Sequence, residues 1–166
     1  MHYRPAQPDD TSTLKALTAG TGVFKPHEID VLQEVLDGYH ARAADSQHVA
    51  VVAEQGGRVV GYAYYAPDVM TDRTWYLYWI AVDKTLQAKG VGGRLLRHVE
   101  DDIRGRGGRL LLLETSSLPH YELTRKFYLK QGFDVAGVIR DFYSDGDSLV
   151  VFRKRLAGAD PPAEAG

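Results

Sequence analysis

The stretch QAKGVGG, Gln87–Gly93, places three glycines within seven residues. It follows an apolar run, WYLYWIAV (Trp75–Val82), that reads as a central strand covered on both faces. After it, Val91, Leu95, Leu96, Val99 and Ile103 recur on one side of a helix, which glycines 105, 107 and 108 bring to an end. The local order is therefore strand, glycine loop, helix. A helix start offers unpaired N–H groups and the positive end of the peptide dipole, which is the local physics of anion binding. Lys89, Arg94 and Arg97 add cationic side chains for charge-assisted contacts. The P-loop pattern fails because no Gly-Lys-Ser/Thr follows, and the dinucleotide fingerprint fails because Leu95 stands where a third glycine belongs. Residue types alone leave two readings open: a turn that needs glycine's dihedral freedom, and a cradle for phosphate.

Outward from this centre, the chain divides by its apolar period. HYRPAQ reads as a short edge strand, where Pro5 is tolerated. PDDTSTLKAL supplies helix-capping Asp and Thr before Leu14 and Leu17, and TAGTGVF reads as a loop. Ile29, Leu32, Leu36 and Tyr39 form the stripe of a second helix. HVAVVAEQ and RVVGYAYYA, joined by Gly56-Gly57, read as a hairpin. RLLLLETS is a further buried strand, and YELTRKFYLKQG is a helix grouping Leu123, Phe127 and Tyr128, with Gly132 as its stop. FDVAGVIRDFYS and DSLVVFRKRL form two final strands. The order β-α-α-β-β-β-α-β-α-β-β predicts an α/β fold, a mixed sheet of about six to seven strands flanked by helices. The helix after WYLYWIAV connects it to RLLLLETS as a parallel crossover. One domain over residues 1–156 and a disordered tail over 157–166 are expected.

Composition bounds the chemistry. The chain has 166 residues, 44% hydrophobic and 25% charged, with a formal net charge of -2, so its overall balance does not favour a nucleic-acid partner. It contains no cysteine, which removes disulfides, thiolate metal sites and any cysteine nucleophile. The six histidines show no close ligand spacing, and no metal is expected. MHYRPAQPDD lacks the apolar core of a signal peptide and no apolar run reaches membrane-spanning length, so a soluble cytoplasmic protein is the expectation.

Gln87-Ala88-Lys89-Gly90-Val91-Gly92 resembles the Gln/Arg-x-x-Gly-x-Gly/Ala signature of the GNAT superfamily, the acetyl-CoA-dependent N-acetyltransferases. WIAV and RKFYLKQGF are similar to that family's fourth strand and C-terminal helix, and the likeness in element order covers roughly residues 3 to 156. The resemblance implies acetyl-CoA as cosubstrate, with the diphosphate on Gln87, Ala88, Lys89, Gly90, Val91, Gly92, Gly93 and Arg94. It implies Ile80, Ala81 and Val82 for the pantetheine arm, with Tyr121 and Phe127 also on the coenzyme. It implies Tyr128 as the acid that protonates the leaving thiolate, since a phenol of pKa ~10 donates while staying neutral. Phe24, Glu28, Tyr64 and Trp79 are expected to meet the acceptor, a small-molecule or peptide amine, and a homodimer is expected because relatives commonly form one.

The residues also depart from the family's pattern. WYLYWIAV has no carboxylate, whereas many relatives carry a glutamate there. Glu114, at the end of RLLLLETS, is the nearest alternative base; His120 and ordered water are the others. Tyr121 stands seven residues before Tyr128, where many relatives use asparagine. Most rings of GYAYY are assigned to packing, Arg125-Lys126 to a solvated face, and Arg140, Asp141 and Tyr143 to acceptor contacts or a dimer edge. With no cysteine, an acetyl-cysteine intermediate is excluded, and direct attack in a ternary complex is predicted. The alternatives are an acyl-CoA-binding or regulatory module without turnover, and another phosphate-ligand protein that binds a nucleotide and ignores coenzyme A.

Overall fold

The structure is a computed structural model describing residues 1–42 and 46–156. The tail expected to be disordered, 157–166, lies outside the described residues. Seven strands and four helices follow the predicted order: β1 (His2–Pro5), α1 (Thr11–Gly20), α2 (Pro26–Arg42), β2 (Val49–Gln55), β3 (Arg58–Pro67), β4 (Thr74–Val82), α3 (Val91–Gly105), β5 (Leu110–Ser116), α4 (Glu122–Lys130), β6 (Asp134–Ser144) and β7 (Asp147–Arg155). Short 3-10 segments precede α1, α3 and α4. One sheet runs β1-β2-β3-β4-β5-β7-β6, antiparallel throughout except for the β4–β5 pair. The expected mixed sheet flanked by helices is present, and α3 is the parallel connection. Among the described residues, no helix is long and apolar enough to cross a membrane.

Two apolar layers hold the sheet between helices. Val91, Leu95, Leu96, Val99 and Ile103 of α3 are all at most 1% exposed and join Tyr65, Trp75, Leu77, Leu111, Leu113, Tyr128 and Phe152. On the opposite face, Leu14, Leu32 and Leu36 of α1 and α2 close over Ala50, Val52, Tyr62, Tyr64 and Ala81. Fully burying each Leu or Ile is worth about 1.5–3 kcal/mol, so the α3 stripe alone fixes that helix against the sheet. Lys154 of β7 reaches back to α3, donating to both carboxylate oxygens of Glu100 at 2.8 and 2.9 Å and to the Gln131 carbonyl after α4 at 2.7 Å. With Glu100 buried, this ion pair ties α3, α4 and β7 at one point.

Several expectations are corrected. α1 continues through Thr18, Ala19 and Gly20, and the buried Thr18 hydroxyl bonds the Leu14 carbonyl and the Tyr62 hydroxyl, docking this last turn on β3. Leu123 is 80% exposed and does not group with Phe127 and Tyr128. The centre of β4 is not sealed: Tyr78 is 53% exposed and Tyr76 and Trp79 are half-buried. Arg125 is no solvated side chain; its guanidinium donates to the carbonyls of Ser116 at 2.7 Å and Leu118 at 3.0 Å, holding the turn between β5 and α4. β6 pairs only with β7 and is exposed along its whole length, including Val138, Ile139 and Phe142.

The end of α3 shows where glycine is required sterically. Gly108 is buried, and a Cβ there would lie 2.2 Å from the Ile103 side chain, 2.8 Å from Trp75 and 2.9 Å from the Ile103 carbonyl oxygen. Gly108→Ala is therefore expected to destabilise the fold by about 2 kcal/mol, the overpacking range, lowering Tm by roughly 4–8 °C in a thermal melt.

Candidate functional site

The site begins where β4 and β5 part. Their ladder has three pairs, Thr74–Leu110, Trp75–Leu111 and Tyr76–Leu112, and no more. β4 runs on to Val82 paired with β3, and β5 runs on to Ser116 paired with β7. Beyond Tyr76 and Leu112, the two facing edges thus present backbone groups with no strand between them. Such groups are obligatory hydrogen bonders, and an open parallel cleft is a place for an extended ligand to pair with main chain. Ile80, Ala81 and Val82 lie on the β4 lip, their other edge paired with Ala63, Tyr62 and Gly61. A register shift sets Tyr64 opposite Trp79 but Tyr65 opposite Leu77, so Tyr78 is an extra residue at the parting.

Below this cleft, the glycine loop opens α3. Gly90 adopts φ 75°, a left-handed conformation that glycine takes without penalty, and it turns the chain from a 3-10 segment (Lys84–Lys89) into the helix. No side chain caps α3, and the first helical bond runs from Arg94 N–H to the Gly90 carbonyl at 3.1 Å. The N–H groups of Val91, Gly92 and Gly93 have no intrahelical acceptor as a matter of helix geometry. Gln87, Ala88, Lys89, Gly90 and Arg94 are exposed, which keeps the loop open to an anion. From α4, the Phe127 ring lies against Gly92, 3.5 Å from where a Cβ would stand.

Tyr128, next along α4, is buried between the rings of Phe127, Phe133 and Phe152 at centroid distances of 5.3, 5.8 and 5.7 Å. Among the described residues its hydroxyl has no hydrogen-bond partner. Burial holds its pKa well above the ordinary phenol value, so the proton stays on the oxygen.

The mouth of the cleft is aromatic and acidic. Tyr121, in the turn before α4, donates to the Val23 carbonyl at 3.0 Å and so latches the α1–α2 loop across the mouth. In that loop, Phe24 packs on Trp79 of β4 with ring centroids 5.5 Å apart. The Tyr121 phenol is pushed up to about 12, first by burial and then by Glu28, Tyr143 and Asp147. Tyr143 is raised by partial burial, Glu114, Asp147 and Glu28, and stacked Tyr76 and Tyr78 are raised by partial burial and by Glu114 and Asp68. Glu114 is exposed at the end of β5, not enclosed by the apolar run before it. The Glu28 carboxylate accepts from the Lys25 N–H, capping α2 while facing the mouth. Tyr64 is buried with its hydroxyl bonded to His48 Nδ1 at 2.5 Å, which places it in the wall behind Tyr78. His120 is exposed in the turn before α4.

Three features escape a reading by residue type. Asp147 is buried and receives a short hydrogen bond from the Ser116 hydroxyl, and its apolar flank, DSLVV, marks only a strand. Tyr76 and Tyr78 read as packing within an apolar run until the strands are seen to part. Thr115, between Glu114 and Ser116, is 5% exposed, and its hydroxyl oxygen has no hydrogen-bond partner among the described residues. A polar residue closing a run of leucines was the available signal for it. No group of three or more metal-ligating side chains occurs among the described residues.

This chain combines a sheet unzipped at its centre with an uncapped glycine start of the helix beneath. It belongs to the acetyltransferase (GNAT) family, whose model matches residues 16–133. A crystal structure assigned to that family from Desulfovibrio desulfuricans superposes with a TM-score of 0.89 at 38% identity, covering 94% of this chain and 99% of that one. An aminoglycoside 6'-N-acetyltransferase complexed with coenzyme A superposes at 0.75 with 19% identity, covering 97% and 100% of the two chains, a likeness of fold alone. The uncharacterized N-acetyltransferase MJ1530 of Methanocaldococcus jannaschii is 27% identical over 67% of this chain and 69% of its own. The uncharacterized N-acetyltransferase YsnE of Bacillus subtilis is 33% identical over 40% of this chain, and the match spans 44% of its length.

The latch across the mouth is open to test. Tyr121→Phe removes one neutral hydrogen bond worth about 1 kcal/mol and is expected to lower Tm by roughly 2–4 °C. Hydrogen exchange should quicken at residues 22–25 and stay unchanged in β4; equal exchange in the loop of both proteins would show that the bond does not hold it.

Proposed function

We propose that this protein transfers an acetyl group from acetyl-CoA to a primary amine by direct attack in a ternary complex. The observation that carries the reading is the pairing of an open β4–β5 cleft with an exposed, uncapped glycine start of α3, in a chain of this family. The donor's chemistry fits both halves. Its diphosphate is an anion for the N–H groups of Val91, Gly92 and Gly93, with Lys89 and Arg94 beside them, and its pantetheine arm is an extended chain of amides for the β4 lip. Phe127 keeps the wall of the cradle apolar.

The amine nitrogen attacks the thioester carbonyl carbon, the C–S bond breaks, and the thiolate takes a proton. Tyr128 supplies that proton, because its apolar cage keeps it neutral across the working range. An ammonium acceptor of pKa ~10 must first lose its own proton, and Glu114, facing the mouth from β5, is the carboxylate placed to take it, directly or through water. The phenols of Tyr76, Tyr78, Tyr121 and Tyr143, all in a field of carboxylates, favour cationic amines at the mouth. The absence of a carboxylate on β4 favours a second reading, an acyl-CoA-binding module without turnover.

Tyr128→Phe removes a hydroxyl that has no hydrogen-bond partner among the described residues, so the fold should persist while kcat falls about a hundredfold, with little change in the Kd for acetyl-CoA. Steady-state kinetics over an amine panel measures this, and unchanged kcat would take the acid role from Tyr128. Glu114→Gln should displace the acidic limb of the pH–rate profile. An unshifted limb assigns deprotonation elsewhere, and thiol release from no amine at all leaves the binding module.

A further inference from the structure

The stacked rings of Tyr76 and Tyr78 have no defined part in the proposed reaction. Tyr76 stands on the last rung of the β4–β5 ladder and Tyr78 just beyond it, with ring centroids 5.7 Å apart and planes inclined by 22°. Tyr78 is 53% exposed. Trp75 and Leu77 face the layer under α3, so alternation turns Tyr76 to the other face of the sheet, and Leu112 and Glu114 of β5 likewise. The apolar layer under α1 and α2 takes in Tyr64, Trp79 and Ala81 but no residue of β5, which leaves this part of the face open. Tyr64 backs the stack, its ring centroid 6.2 Å from that of Tyr78 and its hydroxyl bonded to His48 Nδ1. The rings are held in place from behind and reachable from in front. Two carboxylates act on them: Asp68, before β4, and Glu114 both raise the phenols, as partial burial does. Asp68 is fixed by its own turn, its N–H donating to the Thr74 carbonyl at 2.8 Å and its Oδ1 accepting from the Met70 N–H at 2.9 Å.

An aromatic face beside carboxylates attracts a cation, through the ring quadrupole and through charge. The nitrogen held there is not the one that reacts, because this setting stabilises the ammonium form and only a neutral amine attacks a thioester. We infer that the Tyr76–Tyr78 stack is an acceptor subsite for a second ammonium group of the substrate, so that the preferred acceptors are diamines. This rests on acetyl transfer to an amine being the reaction. One end of the diamine stays charged on the rings and keeps its proton throughout, while the other end loses its proton and is acetylated. Asp68, tied to Thr74 where β4 and β5 are still paired, supplies a counter-charge that the reaction does not use, and Glu114 remains for the reacting end.

Hexylamine and hexamethylenediamine share one carbon chain and differ only in whether its far end is a methyl or an ammonium group. In steady-state kinetics with acetyl-CoA, kcat/KM for the diamine should exceed that for the monoamine by about tenfold, with the difference in KM. That is well beyond the advantage of having two equivalent ends. Tyr78→Leu keeps an apolar side chain and deletes the ring, and should cut the ratio about fivefold. Tyr78→Phe should keep the ratio, because the ring face binds and not the hydroxyl. Equal use of the two amines by the wild type, a leucine variant that slows both alike, or a phenylalanine variant that loses the ratio would overturn the assignment. The wild-type ratio decides by itself where the leucine variant does not fold. Wild-type protein that acetylates other amines but not the diamine overturns this reading alone; protein that acetylates no amine overturns the transfer and this reading with it.

Discussion

The arrangement depends on two strands that stop pairing. Parallel neighbours usually stay zipped because each unpaired N–H or C=O costs free energy, yet β4 and β5 separate after three rungs. The separation is stable because each strand is anchored on its far side, β4 along β3 to Val82 and β5 along β7 to Ser116. The extra residue at Tyr78 and the Arg125 grip on the Ser116 and Leu118 carbonyls stand at either side of the gap. Everything assigned to binding lies along that gap or directly beneath it.

Helix α3 gives the gap its depth. Its apolar stripe locks it to the sheet, so the direction of its first N–H groups is set by the core and not by the loop. The Glu100–Lys154 pair then fixes α4 relative to α3, a pairing whose buried carboxylate would be costly to leave alone. The site is therefore positioned by rigid elements, and the α1–α2 loop closes over it through the Tyr121–Val23 hydrogen bond and the Phe24–Trp79 ring contact.

Element order was readable from the chain because apolar period changes from 3.6 to 2 and back at clear glycine punctuation, as at Gly56-Gly57 and at Gly105 to Gly108. The glycine start of α3 was legible too, since its strand-to-helix setting is local. What was hidden depends on contacts distant in sequence. Trp75–Val82 reads as a sealed strand because nothing local says that its neighbour leaves it midway, and so Tyr76 and Tyr78 pass for core. Glu114 reads as enclosed by the four leucines before it, although alternation turns it to the open face. Arg125 looks solvated until the carbonyls it holds are brought to it by the turn after β5. Thr18 shows the reverse case, a residue read as loop that is helical and docked on Tyr62, a contact distant in sequence.

Phe127 and Tyr128 are consecutive residues, one resting on the bare backbone of Gly92 and the other enclosed by Phe133 and Phe152. The apolar wall against the anion cradle and the phenol are thus machined into a single part. A displacement of α4 carries both together and preserves their spacing, and a transplant of this helix into a relative would move the two as a unit.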